Sequence, residues 1–195
     1  MNYLAHFYLS KYNKDLIIGN YIADDVKGKA YLNYSSEIQK GILLHRKIDD
    51  FTDNHITVLN SKNIIRHHQK KYTPVVMDVF YDYFLAKDWE NHSQDNLKGF
   101  TEYIYKILFQ NIKHLPLKSQ MRLPFMAKSN WLYSYRKVEG INKALSGLAK
   151  RSNYTNNMSE AYVILKEREK ELQEDFNLFF PELVNFVDNE IKKEN

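Results

Sequence analysis

From Val75 to Ala86 the chain reads Val-Val-Met-Asp-Val-Phe-Tyr-Asp-Tyr-Phe-Leu-Ala, apolar or aromatic at almost every position. A helix that is greasy on all sides has to be wrapped by other elements, so this segment belongs at the centre of the fold. The rest of the chain offers mainly helices to wrap it. Helical periodicity is widespread, whereas alternating β-branched runs bounded by tight-turn pairs are missing. The pattern predicts helices near residues 2–11, 14–25, 35–54, 56–71, 75–89, 94–113, 118–129, 138–150 and 157–191. Ser35-Ser36-Glu37 suits a helix start, Pro74 suits a first turn, and Gly28 suits a helix end just past Lys27. Pro116 falls in a connection, and Pro181 marks the expected break if the last segment is two helices rather than one. The expected fold class is all-α: a single-domain bundle of about nine helices spanning residues 1–195.

Composition narrows the chemistry. Apolar residues make up 44% of the 195, with fifteen Tyr and eleven Phe, enough for one sizeable core. There is no Cys, which excludes disulfides, thiolate metal sites and a cysteine nucleophile. Any metal has to be held by His, Asp, Glu or Asn. No secretory signal and no membrane span is visible, so a soluble, cytoplasmic protein is expected. Charge is distributed unevenly. Residues 103–138 carry seven bases and no acid, whereas residues 160–195 carry ten acids against five bases. Such a basic stretch is either a solvated helix face or a surface that steers an acidic partner.

Three groups of polar residues sit in apolar stripes. On a helical wheel, His45 and Asp49 stack one turn apart beside Ile38, Gly41, Ile42 and Ile48. They form either a His–Asp hydrogen bond in the core or two ligands of one divalent ion. Asp82 lies among Val75, Val79 and Ala86, where an ionised carboxylate is costly unless a metal or a basic partner compensates it. Asp78, one turn earlier, has an ordinary explanation at the positive helix N-terminus. Asn20 and Asp24 share a face, with Asp24 expected inward and Asp25 outward. His6, among Leu4, Phe7, Tyr8 and Leu9, is either a satisfied core residue or a further ligand. A hard-to-borderline ion such as Mn²⁺ suits this imidazole and carboxylate set, with Mg²⁺, Fe²⁺ or Co²⁺ as alternatives.

Met1-Asn2-Tyr3-Leu4-Ala5-His6, Gly19-Asn20, Ala23-Asp24, Gly28, His45-Arg46-Lys47-Ile48-Asp49, Thr52-Asp53, Asp78-Val79, Asp82, Phe84-Leu85 and Trp89 occur in that order. Trp131-Leu132, Tyr135-Arg136 and Gly147-Leu148-Ala149 follow. This ordered set resembles the bacterial acyl carrier protein phosphodiesterase family, itself similar to an atypical branch of the helical His-Asp metal phosphohydrolases. The chain departs from the wider superfamily in having no contiguous His-Asp pair, and it has Tyr83 where some family members have His.

The resemblance implies a Mn²⁺-type cofactor and hydrolysis of holo-acyl carrier protein to the apo form plus 4′-phosphopantetheine. It implies His6, Asp24, His45, Asp49 and Asp82 as a ligand pool, with Asp24 or Asp49 alternatively taking a proton from the attacking water. Arg46 would hold a phosphate oxygen pair, unless it pairs with Asp50 one turn on. Asn20 and Lys27 are further substrate-binding candidates, and Asp53 and Tyr83 would support the site from behind. The acid-free stretch 103–138, Lys118 and Arg122 in particular, is the expected docking surface for an acidic carrier protein. Two rivals remain: a metal phosphohydrolase acting on a nucleotide or small phosphodiester, and a non-catalytic carrier-binding module. Nucleic-acid binding has little support, since the basic run His67–Tyr72 comes with no recognised RNA-binding motif.

Overall fold

The computed structural model describes residues 1–193. Its helices are α1 (Tyr3–Leu9), α2 (Lys14–Ile22), α3 (Ser36–Asn54), α4 (Ile56–Gln69), α5 (Thr73–Lys87) and α6 (Leu97–Gln110). The second half holds α7 (Leu117–Lys128), the single turn α8 (Trp131–Ser134), α9 (Val138–Arg151), α10 (Ala161–Glu167) and α11 (Glu169–Lys193). No strand occurs among the described residues, and no helix there is long and apolar enough to cross a membrane.

As its composition requires, α5 runs through the middle. Val76, Met77 and every residue from Val79 to Ala86 are buried. Helices α1, α4, α9 and α11 pack around it. Tyr81 and Phe84 meet Phe176 and Phe179 of α11 in an aromatic cluster, with centroid separations of 5.4–5.8 Å.

Two boundaries differ from the periodicity. Helix α2 stops at Ile22, and Ala23–Asp25 tighten into a 3₁₀ turn. The break in the last segment falls at Arg168 rather than at Pro181, which lies inside α11. A proline removes one backbone donor, but Phe176, Phe179 and Phe180 before it and Leu183 and Val187 after it are all buried. Burial of both halves holds the helix continuous across it.

The contact that positions the site is the crossing of α2 and α3. A Cβ on Gly19 would lie 2.5 Å from the Ile38 carbonyl oxygen, and one on Gly41 would lie 2.9 Å from Leu16 Cα. The two backbones therefore touch. That contact brings Asn20 and Asp24 against the turn of α3 that carries His45. Gly41→Ala should cost about 1–3 kcal/mol through overpacking. The melting temperature should fall by roughly 2–4 °C per kcal/mol for a domain of this size. Thermal unfolding at wild-type temperature would contradict the crossing.

Candidate active site

His6 and His45 stack face to face, their ring centroids 3.9 Å apart and their planes 15° from parallel. One carboxylate joins them: Asp49 Oδ1 lies 3.2 Å from His6 Nε2, and Asp49 Oδ2 lies 3.1 Å from His45 Nε2. Asp24 Oδ1 approaches His45 Nε2 at 3.5 Å from the rim. One ligand atom from each of His6, His45 and Asp49 lies within 4.8 Å of the others.

A hydrogen-bond relay fixes the orientation of His6. Ser10 Oγ donates to the His6 carbonyl (2.9 Å), and Asn20 Nδ2 donates to Ser10 Oγ (3.0 Å). Asn20 therefore turns Oδ1 toward His6 Nδ1, 3.1 Å away, so Nδ1 carries the ring proton. The other nitrogen, Nε2, then presents a lone pair to two acceptors, Asp49 Oδ1 and the Met1 carbonyl at 3.1 Å. Burial, reinforced by His45, lowers the His6 pKa to about 4, so the ring is neutral near pH 7 and has no second proton to offer. A lone pair facing oxygen acceptors is unfavourable unless a cation lies between them, which is the arrangement a bound metal satisfies.

The other groups around the cluster are electrostatically consistent with a cation. Burial disfavours charge on His45, but hydrogen bonds and attraction from Asp24 and Asp49 outweigh it and raise its pKa to about 9. The hydrogen bond from His45 lowers the Asp24 pKa despite desolvation. For Asp49, desolvation is outweighed by the hydrogen bond from His45 and by the Met1 ammonium, holding the carboxylate ionised. The Met1 ammonium itself sits 3.0 Å from Asp78 and 3.5 Å from Asp49.

His45 and Asp49 of the cluster open onto a cleft of about 890 Å³, which the buried His6 does not itself line. Asp24, His45, Asp49 and Asp78 line its base, and Lys118, Arg122 and Arg151 bring positive charge to its walls. Met121, Phe125, Trp131 and Leu148 add an apolar side.

Several residues expected at the site lie elsewhere. Asp82 is fully buried, but it accepts the backbone N–H groups of Leu4 (2.8 Å) and Ala5 (3.1 Å) and so caps α1 instead of joining the cluster. Burial, against those bonds, raises its pKa to about 7. Arg46 neither faces the cleft nor pairs with Asp50. It donates to the Val26 carbonyl at 2.9 Å and lies over the Tyr31 ring, tying down the loop after α2. Lys27 is exposed away from the cleft lining. Asn20 is buried and orients His6 rather than reaching a substrate. Asp53 holds the buried Lys62 ammonium at 2.6 Å, joining α3 to α4, and the Tyr83 hydroxyl donates to Glu169 at 2.7 Å. Neither supports the cluster.

The expected orientation of Asp24 and Asp25 is reversed. The 3₁₀ turn changes the register, so the Asp24 side chain is 62% exposed at the rim. Asp25, at 11%, accepts from Arg122 (2.8 Å) and Ser119 (2.6 Å). Arg122 is thereby tied into the wall and is not a free docking cation. Asp78 was the residue hardest to place from the sequence, because its simple explanation was helix capping. It lies beyond the first turn of α5 and binds the Met1 ammonium. Its spacing of four from Asp82, on the side of α5 that faces α1, was the available signal.

A family model described as acyl carrier protein phosphodiesterase matches residues 1–183. The chain belongs to that family. Acyl carrier protein phosphodiesterases of Salmonella dublin and Salmonella newport are each 29% identical to it over 185 residues, covering 94% of this chain and 96% of theirs. No solved structure matches. In this member of the phosphodiesterase family, the central carboxylate Asp82 sets the position of α1 and therefore of His6. Asp82→Ala would strand two buried N–H groups and should lower the unfolding free energy by about 2–4 kcal/mol. Asp82→Asn, which keeps one acceptor, should lose less. Urea denaturation measures both, and an alanine variant as stable as wild type would contradict the capping role.

Proposed function

We propose that this chain hydrolyses the phosphodiester between 4′-phosphopantetheine and the serine of holo-acyl carrier protein, releasing the apo protein, with a divalent ion such as Mn²⁺ held by His6, His45 and Asp49. The observation that carries this reading is the neutral His6, whose Nε2 lone pair points at the Met1 carbonyl and at Asp49, a residue that lines the cleft. Two imidazoles and a carboxylate suit first-row divalent ions. Such an ion, when bound, polarises a phosphoryl oxygen and acidifies a water molecule.

The protein groups divide the remaining work. Both Asp49 oxygens are engaged by histidines, which leaves Asp24 as the carboxylate free to take the proton of the attacking water. Lys118 and Arg151 line the cleft and offset the charge of the phosphodiester. Relay residues Asn20 and Ser10 hold His6 in the tautomer that leaves Nε2 free.

An acidic carrier protein fits the outer face of α7. Leu117, Met121 and Phe125 recur every fourth residue and are 71%, 62% and 67% exposed, with Lys118 beside them. A contiguous apolar stripe on a basic wall suits a partner that brings acids around an apolar contact. Cytoplasmic residence is part of this proposal.

His45→Ala and Asp49→Ala should lose bound Mn²⁺ and all turnover. Asp24→Ala should keep the metal but lose about 10²–10⁴-fold in kcat. Mass spectrometry of holo-carrier protein incubated with enzyme and Mn²⁺ reads the loss of the prosthetic group. Release by Asp49→Ala at the wild-type rate would refute the assignment, and turnover of free nucleotides without carrier would favour a general phosphohydrolase. Docking has a separate test: Met121→Ser with Phe125→Ser should raise KM roughly tenfold with kcat little changed. An unchanged KM would remove α7 from the interface.

A further inference from the structure

A second cavity of about 580 Å³ opens beside the catalytic cleft, between α8 and α9. The two adjoin: Asn2, Tyr3, Trp131, Leu148 and Arg151 line both. Nothing in the hydrolytic step described above requires this extension.

Its walls have a distinct chemistry. Helix α9 turns Gly140, Lys143, Ala144, Gly147, Leu148 and Arg151 toward it, a single face at helical spacing. Three of these are Gly or Ala, which leaves a trough. At Gly140 the small residue is forced, since a Cβ would fall 2.0 Å from the Ser134 carbonyl oxygen. Gly147 has no such neighbour, and a Cβ there would meet nothing within 4 Å. The opposite wall carries Trp131 and Tyr135, with Asn2 donating to the Tyr135 hydroxyl at 3.2 Å. Asn130, also in the lining, adopts a left-handed conformation (φ 44°), and its buried Oδ1 has no hydrogen-bond partner. A buried acceptor without a donor is costly, so a ligand N–H would be stabilising there.

We infer that the groove between α8 and α9 receives the pantetheine arm of the substrate, beside the reacting phosphate and away from the docked carrier. This rests on the proposed phosphodiesterase reading and adds a specificity site to it. A pantetheine arm is a flexible chain with a branched aliphatic unit, a hydroxyl and two amides ending in a thiol. The aliphatic portion matches the Trp131–Leu148 wall, and an amide N–H supplies the donor that Asn130 Oδ1 lacks. Docking the carrier at α7 places serine on one side of the cleft and leaves the adjoining wall, lined by Trp131, Leu148 and Arg151, to the arm, which stays on the phosphate while the serine oxygen leaves. Binding energy from this remote portion of the substrate would then be used at the phosphate.

The test fills the trough. Because Gly147 is helical and faces open space, Gly147→Leu should fold normally and gain helix propensity. Three quantities are compared with wild type: bound Mn²⁺ per chain, kcat/KM for release of 4′-phosphopantetheine from holo-carrier, and inhibition by free pantetheine. The expected variant binds Mn²⁺ normally, loses about tenfold or more in kcat/KM, and escapes inhibition by pantetheine. Gly147→Ala should fall between the two, and it decides the matter should the leucine variant disturb metal binding. Wild-type turnover in both variants, or equal inhibition by pantetheine throughout, overturns the groove while leaving the phosphodiesterase reading intact. Absence of release by the wild-type protein overturns both and is visible before any variant is assayed.

Discussion

The Asp49 carboxylate, one oxygen on each of two stacked imidazoles, is the contact on which the candidate site depends. It joins α1 to α3 across the face of the central helix, and its geometry is set by groups that never touch a substrate. The tautomer of His6 is fixed by Asn20, Asn20 by Ser10, and Ser10 by the His6 carbonyl itself. A closed relay of this kind removes the rotational freedom a catalytic ligand would otherwise lose on binding an ion.

Carboxylates in this protein are sorted by what meets them. Asp82 is enclosed and satisfied by backbone donors, so it fixes a helix. Asp25 is partly enclosed and satisfied by Arg122, so it fixes a wall. Asp49 bridges the neutral His6 and His45, whose pKa its own hydrogen bond helps to raise, and Asp24 is largely exposed with one imidazole beside it. These last two line the cleft. The same side-chain type thus serves as cap or strut, and in the proposed reaction as ligand or base, according to its neighbours.

Much of this was legible in the sequence, for identifiable reasons. The greasy Val75–Ala86 segment required a central helix, and the His45–Asp49 spacing required two groups on one face. Local periodicity is sufficient for both. Asp82 illustrates the limit: the sequence showed that it needed compensation but not that the compensation was the N-terminus of α1, because caps between distant segments leave no local pattern. Arg46, Asp53 and Tyr83 were assigned to the site by proximity in sequence to His45, Asp49 and Asp82. Helical rotation points each of them elsewhere, to Val26, Lys62 and Glu169. The inversion of Asp24 and Asp25 arose from one 3₁₀ turn, which shifts a wheel by enough to exchange neighbours.

The central claim, that two imidazole nitrogens and one carboxylate enclose a cation, is tested most directly by anomalous diffraction from crystals grown with Mn²⁺. The account predicts a single strong anomalous peak between His6 Nε2, His45 Nε2 and Asp49, with Asp24 at its open side. A map with no peak there, or with the ion held only by other residues while His6 keeps its contacts to Asn20 and Asp49, would contradict it.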